Sequence, residues 1–324
     1  MSRSQDNLAV NDFTDRSGAP APRRIYGEAL LAAARRDPRI VALTADLSGP
    51  TETDIFRDAL PNRFYQAGIA EANMVGMAGG MARCGCIPFV HTFSVFATRR
   101  TYDQVAMQVA YPGLNVKLVG FIPGVDTLLG VSHQAIDDVA LMRALPRMRV
   151  LEPAAGQAAA AVDEALAYDG PVYLRLARAN GATPAASRPS SEQGLARLRA
   201  GRDGLLLASG LSIPIAEAAA AELARQGKDV GVVAVTSLKP LNSAIAAMAR
   251  EVPTVITVEN HSIIGGLGSA VAELLMENKV AVNFARVGVR DTFTHGGTTP
   301  YLMAEFGMDA PAVVREFLRV AGTA

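Results

Sequence analysis

Short apolar runs alternate with amphipathic segments along most of the chain. The run Ile40–Thr44 is apolar apart from its final threonine and is followed by a polar turn, which predicts a buried strand. The segment Ile25–Arg36 predicts a helix that ends ahead of Pro38, because a proline disfavours helical geometry in the residue before it. A later segment, Ala97–Ala110, predicts one continuous helix. Strands that alternate with helices predict an α/β fold class with two parallel-sheet α/β/α domains.

Composition divides this pattern into four parts. Residues 1–22 are polar, with glycine and prolines, as expected of a flexible tail. Residues 179–202 are rich in Ala, Ser, Pro and Arg and have no sustained apolar period, which indicates a linker. The linker separates a predicted first domain, residues 23–178, from a predicted second domain, residues 203–324.

The charge balance argues against polyanionic partners. The chain has 324 residues, with Lys plus Arg and Asp plus Glu at 31 each, so neither a nucleic acid nor an anionic membrane is favoured. No apolar run approaches the ~20 residues of a membrane-spanning helix, and the first residues lack the apolar core of a secretory signal. Cys84 and Cys86 stand too close together for a zinc knuckle or a C-x-x-C pair. We expect a cytoplasmic protein that acts on a small molecule.

One carboxylate, Glu71, lies in a notably apolar stretch. Its neighbours at helical spacing are Ala67, Ala70, Met74 and Val75, where a surface helix would carry charged residues. A buried ionised carboxylate is costly, so it is paired, hydrogen-bonded or protonated. Glu71 is therefore a candidate functional acid. The plainer alternative is a glutamate that interacts with the dipole of the helix it begins.

Six short blocks follow one another along the chain: Ala45-Asp46-Leu47, Gly68-Ile69-Ala70-Glu71, Thr92-Phe93-x-x-Phe96, Ser132-His133-Gln134-x-x-x-Asp138, Pro171-Val172-Tyr173-Leu174-Arg175 and Gly265-Gly266-x-Gly268-Ser269-Ala270. In this order they resemble the second half of the transketolase superfamily of thiamine diphosphate enzymes, which comprises a pyrimidine-binding domain and a C-terminal domain. The resemblance covers most of residues 23–320. One block alone would be a weak match, whereas six collinear blocks are specific.

The resemblance implies that the chain binds thiamine diphosphate. Glu71 would be the catalytic carboxyl group that hydrogen-bonds the pyrimidine N1′ and promotes the imino tautomer needed to remove the C2 proton. Phe96 would be the ring that stacks on the pyrimidine. The further cofactor-binding residues implied by the resemblance are Phe93, Ile69, Arg99 and Asp46. For Asp46, a subunit interface or a structural position at a strand end remains open as an alternative.

The substrate positions match the family less well. His133 resembles the active-site histidine that contacts the substrate oxygen, and an imidazole titrates in the range that suits proton transfer. Phe121, Leu129 and Glu152 stand where sugar-phosphate transketolases carry His, Asp and a phosphate-binding Arg. We expect Glu152 to repel a phosphate and the two apolar residues to relax the demand for donor hydroxyl groups. His91 precedes the phenylalanines and is a further substrate candidate, with a structural role as the alternative.

These departures favour a donor other than the usual ketose phosphate. Pyruvate giving an acetyl group and a non-phosphorylated specialised sugar are both compatible with them. The predicted function is the transfer of a two-carbon ketol or acyl unit from a ketose or 2-oxo donor to an aldehyde or ketone acceptor. Alternatives are the β chain of a 2-oxo acid dehydrogenase, against which the Ser-His-Gln-x-x-x-Asp block argues, and a non-catalytic subunit that completes a dimer.

One family motif does not occur in the chain. Transketolases hold the diphosphate and a divalent metal with Gly-Asp-Gly followed by a distant Asn, and no Gly-Asp-Gly is present. The resemblance therefore implies a split enzyme in which an N-terminal transketolase-like partner chain carries this motif and most of the ligands of Mg2+ or Ca2+. We expect no metal ligand in this chain, and a heterotetramer with two copies of each chain.

Overall fold

Two mostly parallel β-sheets organise the structure, a computed structural model that describes residues 24–154, 156–177 and 193–322. The predicted flexible tail and residues 179–192 of the predicted linker lie outside the described residues. The strands are β1 (Ile40–Thr44), β2 (Phe64–Gln66), β3 (Ile87–Phe93), β4 (Lys117–Phe121), β5 (Arg149–Leu151), β6 (Val172–Leu176), β7 (Leu195–Arg199), β8 (Gly204–Ala208), β9 (Val230–Val235), β10 (Ser237–Lys239), β11 (Thr254–Ser262) and β12 (Asn283–Val289).

Helices connect these strands. They are α1 (Ile25–Arg36), α2 (Asp54–Ala59), α3 (Glu71–Arg83), α4 (Ser94–Thr98), α5 (Tyr102–Gln104), α6 (Asp138–Ala144), α7 (Ala158–Leu166), α8 (Ser212–Arg225), α9 (Ala244–Arg250), α10 (Leu267–Glu277), α11 (Thr299–Glu305) and α12 (Ala310–Val320). No helix in the described ranges combines the length and the apolar character required to cross a bilayer.

The strand order confirms the predicted fold class. The first sheet has the order β10-β5-β6-β4-β3-β1-β2, and the second has the order β12-β11-β8-β9-β7. Every residue of β1, β3, β4 and β6 is buried, because helices cover both faces of the sheet. The antiparallel pairs are β10 with β5 and β7 with β9. Because β1, β2, β3 and β4 are parallel, the loops that follow β1, β2 and β4 lie at one edge of the first sheet, and these loops contain Asp46, Ile69 and Leu129.

The predicted linker requires a correction. Its residues Leu195–Arg199 form β7, which pairs with β9 at the edge of the second sheet. Leu195 and Ala196 are buried, whereas Arg197 is exposed. A strand of five residues with only two buried positions has too short an apolar period to be distinguished from a linker by sequence alone.

The predicted continuous helix over Ala97–Ala110 also differs. The structure breaks it into α4, α5 and a π-helical turn over Val105–Ala110. Thr98 and Thr101 donate their hydroxyl groups to the carbonyl oxygens of Ser94 and Ala97, four residues back, and such bonds bend helices. Two adjacent arginines, Arg99 and Arg100, lie at this break and point in different directions. Only Arg100 contacts the site described below.

A buried ionic cluster joins the two sheets. Arg175 on β6 donates to Asp138 at the start of α6, to Glu152 after β5 and to the carbonyl oxygen of Asn260 on β11. We call Arg175, Asp138, Glu152 and Asn260 the Arg175 cluster. All four residues are buried, so these contacts are formed away from water and hold β6 and β11 together.

Candidate active site

Glu71 is the first residue of α3 and follows the carboxyl end of β2. Gly68 turns the chain between these elements with a φ of 72°, a conformation that glycine adopts without steric cost. The Glu71 side chain is only 5% exposed, and its Oε1 accepts a hydrogen bond from Arg100 Nη1 at 2.7 Å. Of the three states open to a buried carboxylate, the structure therefore contains the ion-paired one.

Arg100 contacts an aromatic ring at the same time. Its guanidinium carbon lies 3.7 Å from the centroid of the Phe96 ring, a cation–π geometry. A planar cation thus touches both the Glu71 carboxylate and the Phe96 ring. The structure brings these two predicted residues together through a third residue that the sequence argument did not select.

His133 completes the arrangement. The His133 ring centroid lies 5.2 Å from that of Phe96 and 6.2 Å from that of Phe93, and the two phenylalanine rings are 6.0 Å apart. Burial, together with the positive charge of Arg100, lowers the pKa of His133 from its ordinary value, so the imidazole is neutral near pH 7. Ser132 Oγ lies 2.9 Å from His133 Nδ1. We call Glu71, Phe93, Phe96, Arg100 and His133 the Glu71 site.

Three other predicted cofactor residues lie outside these contacts. Asp46 is exposed after β1, with a φ of 59°, and its backbone N–H donates to Gln66 Oε1 at 2.7 Å. Ile69 is 74% exposed just before Glu71. Arg99 forms an ion pair with Asp137 at 2.9 Å. Asp46 and Ile69 lie at the same sheet edge as Glu71, whereas Arg99 is held by the residue that precedes α6.

Arg100 is the functional candidate that sequence reasoning missed. The Arg99-Arg100 pair signals a cation close to Phe96, but sequence cannot tell which of the two side chains points toward Glu71. The helix break between Thr98 and Tyr102 determines this. The sequence signal for this break is the pair Thr98 and Thr101, whose hydroxyl groups donate to carbonyl oxygens of the preceding turn.

His91 and Phe121 are buried where the first sheet packs against α1. His91 is fully buried in β3, donates from Nδ1 to the Leu43 carbonyl oxygen at 2.9 Å and accepts from the Tyr26 hydroxyl at 2.6 Å. Phe121 is buried at the end of β4, with its ring centroid 5.4 Å from that of Tyr26. Both side chains contact the α1 side of the core, and the substrate roles predicted for them stay predictions.

Glu152 requires the clearest correction. It was expected to repel a substrate phosphate, but its carboxylate is buried and accepts a hydrogen bond from Arg175. The positive charge of Arg175 offsets the negative charge of Glu152, so Glu152 is a structural member of the Arg175 cluster. Leu129, by contrast, is 40% exposed in the loop after β4, and its predicted substrate role stays a prediction.

The backbone N–H groups of the glycine-rich turn before α10 bind a carboxylate of the same chain, that of Glu259. The backbone N–H groups of Leu267 and Gly268 donate to Glu259 at 2.7 and 2.9 Å. Burial raises the pKa of Glu259 to about 8, although these two hydrogen bonds oppose the shift. Within residues 24–154, 156–177 and 193–322, no group of three or more His, Cys, Asp or Glu side chains could hold a metal ion.

Two family models match the chain. Residues 19–183 match the model described as transketolase, pyrimidine binding domain, and residues 194–313 match the model described as transketolase, C-terminal domain. The first match contains the whole Glu71 site. The second contains all five strands of the second sheet.

Individual relatives agree with these matches. The chain is 45% identical to the 6-deoxy-6-sulfo-D-fructose transketolase subunit SqwH of Clostridium sp. strain MSTE9, over 90% of this chain and 92% of that protein. It is 32% identical to the 1-deoxy-D-xylulose-5-phosphate synthase of Halalkalibacterium halodurans, over 97% of this chain but only 51% of the synthase. A solved split-gene transketolase, described as an inactive β4 tetramer, superposes with a TM-score of 0.83 and 40% identity, over 93% of this chain and 98% of that one.

Proposed function

The chain belongs to the transketolase family, and we propose that it is the pyrimidine-binding subunit of a split, thiamine diphosphate-dependent transketolase. In this proposal the chain contributes the carboxylate, the stacking ring and the histidine of the Glu71 site. A partner chain contributes the groups that hold the diphosphate. The reaction is the transfer of a two-carbon ketol unit from a ketose donor to an aldehyde acceptor.

The observation that carries the proposal is the planar group shared by Glu71 and Phe96. An aminopyrimidine is also planar, and its recognition needs a hydrogen-bond partner in the ring plane and an apolar surface against the ring face. Glu71 and Phe96 meet these two needs for the planar guanidinium of Arg100, whose Nη1 lies 2.7 Å from Glu71 and whose central carbon lies 3.7 Å from the Phe96 centroid. The donor set therefore fits the aminopyrimidine of thiamine diphosphate.

Each residue has a distinct task in this proposal. When bound, thiamine diphosphate supplies the acidic carbon that becomes the nucleophile. Glu71 exchanges a proton with the pyrimidine nitrogen in a niche that largely excludes water. Phe96 holds the ring face, and Phe93 packs against both Phe96 and His133. His133, neutral near pH 7, accepts or returns a proton at the substrate oxygen.

Two further observations support a two-chain enzyme. The sequence contains no Gly-Asp-Gly motif, and the Clostridium relative is described as a subunit. The solved split-gene transketolase formed by one type of chain is described as an inactive β4 tetramer. We extend this to the present chain: activity requires a partner with Gly-Asp-Gly and Mg2+ or Ca2+, and the working assembly holds two copies of each chain.

We further propose a donor that lacks a terminal phosphate. The Clostridium relative is named for a ketose whose terminal carbon carries a sulfonate, and the identity to it is 45%. Leu129, which stands where sugar-phosphate transketolases have Asp, presents an apolar and exposed side chain in the loop after β4. A loop of this character asks for fewer hydroxyl contacts from its donor. A sulfonated ketose keeps the chain hydroxyl groups of fructose 6-phosphate, so the similarity to the Clostridium relative is what favours it as the donor.

The test reconstitutes the chain with the product of a neighbouring gene that encodes Gly-Asp-Gly. Calorimetry should detect thiamine diphosphate binding in the mixture with Mg2+ and little binding to this chain alone. The mixture should then transfer a ketol unit from 6-deoxy-6-sulfo-D-fructose to an aldose phosphate faster than from fructose 6-phosphate, and it should transfer little acetyl unit from pyruvate. Full binding and turnover by this chain alone would contradict the split, and reductive acylation of lipoamide would indicate a 2-oxo acid dehydrogenase β chain instead.

A further inference from the structure

Arg100 stands in the place that the proposed function gives to the aminopyrimidine. Its Nη1 donates to Glu71 Oε1, and its guanidinium lies over the Phe96 ring. Stacked groups need a separation of about 3.5 Å, so a guanidinium and a pyrimidine cannot share this face of Phe96. Arg100 must therefore give up both contacts before the cofactor ring can form them.

The two members of the ion pair differ in exposure. The Glu71 side chain is 5% exposed and lies at the end of a rigid helix, whereas the Arg100 side chain is 47% exposed. A buried carboxylate without a partner is costly, but an arginine head group that already borders water returns to water easily. The pair therefore separates by movement of Arg100, and Glu71 keeps its position for the next partner.

The backbone around Arg100 is fixed independently of that movement. Arg99 is held to Asp137 by two hydrogen bonds, at 2.9 and 3.0 Å, and α5 begins two residues after Arg100. The Thr101 hydroxyl donates to the Ala97 carbonyl oxygen at 2.6 Å. The Arg100 side chain can thus turn toward solvent without unwinding the segment that carries Phe96.

We infer that Arg100 is a place-holder for the aminopyrimidine of the cofactor. In the cofactor-free subunit it neutralises Glu71 and covers the face of Phe96, and it turns into solvent when the pyrimidine arrives. This inference rests on the proposed function. Arg100 is a positioning residue that acts through Glu71: it stabilises the empty site and slows cofactor entry.

The first test needs only the cofactor-free chain. Arg100→Met leaves Glu71 buried without its cation and should raise the unfolded-to-folded ratio about tenfold in urea at pH 8, a moderate effect because the Arg100 side of the pair borders water. Adding Glu71→Gln should recover most of that loss, since no buried charge remains. The control is Arg83→Met, which changes an exposed arginine at the C-terminal end of α3, the helix that begins with Glu71. Strictly additive effects of the Glu71 and Arg100 variants would overturn the inference.

The second test measures cofactor entry in the two-chain assembly. Arg100→Met should raise the association rate constant of thiamine diphosphate about tenfold, because no ion pair and no cation–π contact has to break first. Circular dichroism of the assembly, recorded with time after mixing with the cofactor, follows binding. If Arg100→Met binds the cofactor no faster than the unmodified assembly and Arg83→Met do, the place-holder role of Arg100 is refuted, whereas the proposed function stands. If the unmodified assembly binds no thiamine diphosphate, the proposed function fails together with this inference.

Discussion

Arg175 and Asp138 form a bidentate ion pair from which water is excluded. Arg175 Nε lies 2.8 Å from Asp138 Oδ2, Nη2 lies 3.1 Å from Oδ1, and both side chains are fully buried. Burial alone would raise the pKa of Asp138, but the charge of Arg175 and a hydrogen bond from Tyr173 hold it below its ordinary value. Arg175 also donates to Glu152, so one cation serves two buried carboxylates.

Removal of that cation should strongly destabilise the folded protein. Arg175→Met leaves Asp138 and Glu152 without a counter-charge, and breaking a buried pair in this way costs about 3–5 kcal/mol of unfolding free energy. The control is Arg202→Met, which removes a 3.0 Å ion pair to Asp229 on the surface, where such pairs contribute about 0–1 kcal/mol. Urea denaturation at pH 7 measures both. Similar losses for the two variants would show that the Arg175 cluster is not what joins the sheets.

His91 predicts a loss of stability in mild acid. Burial lowers its pKa to about 4, whereas an exposed histidine titrates near pH ~6.5. Between these values the unfolded chain binds a proton that the folded chain does not, so stability falls as the pH falls. The slope reaches about 1.4 kcal/mol per pH unit, and the total is about 3 kcal/mol.

The measurement is urea denaturation at pH 7 and pH 5. His91→Gln should flatten the difference between the two pH values. His295→Gln serves as the control, because His295 is exposed. Its hydrogen bonds to the Gly296 carbonyl and to Glu305 raise its pKa rather than lower it. An unchanged pH dependence in His91→Gln would assign the acid sensitivity to other groups.

Two adjacent glycines of α3 should respond oppositely to alanine. A Cβ atom at Gly79 would lie 2.9 Å from the backbone oxygen of Gln108, whereas a Cβ atom at Gly80 meets no atom within 4 Å. Gly79→Ala forces α3 away from the π-helical turn and should cost about 1–3 kcal/mol. Gly80→Ala improves helix propensity by up to about 1 kcal/mol. Thermal unfolding distinguishes them, and equal midpoints would refute the close approach.

Glu71→Gln should abolish most turnover in the reconstituted enzyme. The amide keeps the shape of the side chain but cannot exchange a proton, and loss of a general acid–base group typically costs about 10²–10⁴-fold in rate. Glu273→Gln, on the exposed face of α10, should leave the rate unchanged and is the control. Unchanged turnover in Glu71→Gln would reduce this chain to a scaffold for its partner.

Local pattern was sufficient for much of the fold. The predicted helix Ile25–Arg36 and the predicted strand Ile40–Thr44 have the observed bounds, because each is an apolar segment bordered by polar or proline residues. The burial of Glu71 was also visible in its apolar neighbours. These features depend on residues within one or two turns of each other, and sequence records such relationships directly.

The remaining features depend on distant contacts. Glu152 appears in sequence as a surface carboxylate beside a proline, but its role follows from Arg175, which β6 places beside it. The choice between Arg99 and Arg100 follows from a helix break and from Asp137, the residue before α6. Strand pairing across long separations has no local signature, and hence β7 and β10 could not be predicted.

Strand β10 has a consequence for the order in which the polypeptide can fold. Ser237 pairs with Leu151 and Lys239 with Val150, so the first sheet takes its last strand from beyond β8 and β9 of the second sheet. While the chain is being synthesised, the backbone of β5 stays open along this edge until residue 239 has left the ribosome, and open strand edges attract other chains. A nascent or truncated chain that ends near residue 200 would therefore be prone to aggregate. Chaperones would have to protect the nascent chain until residue 239 is available, well after the other six strands of the first sheet have been synthesised.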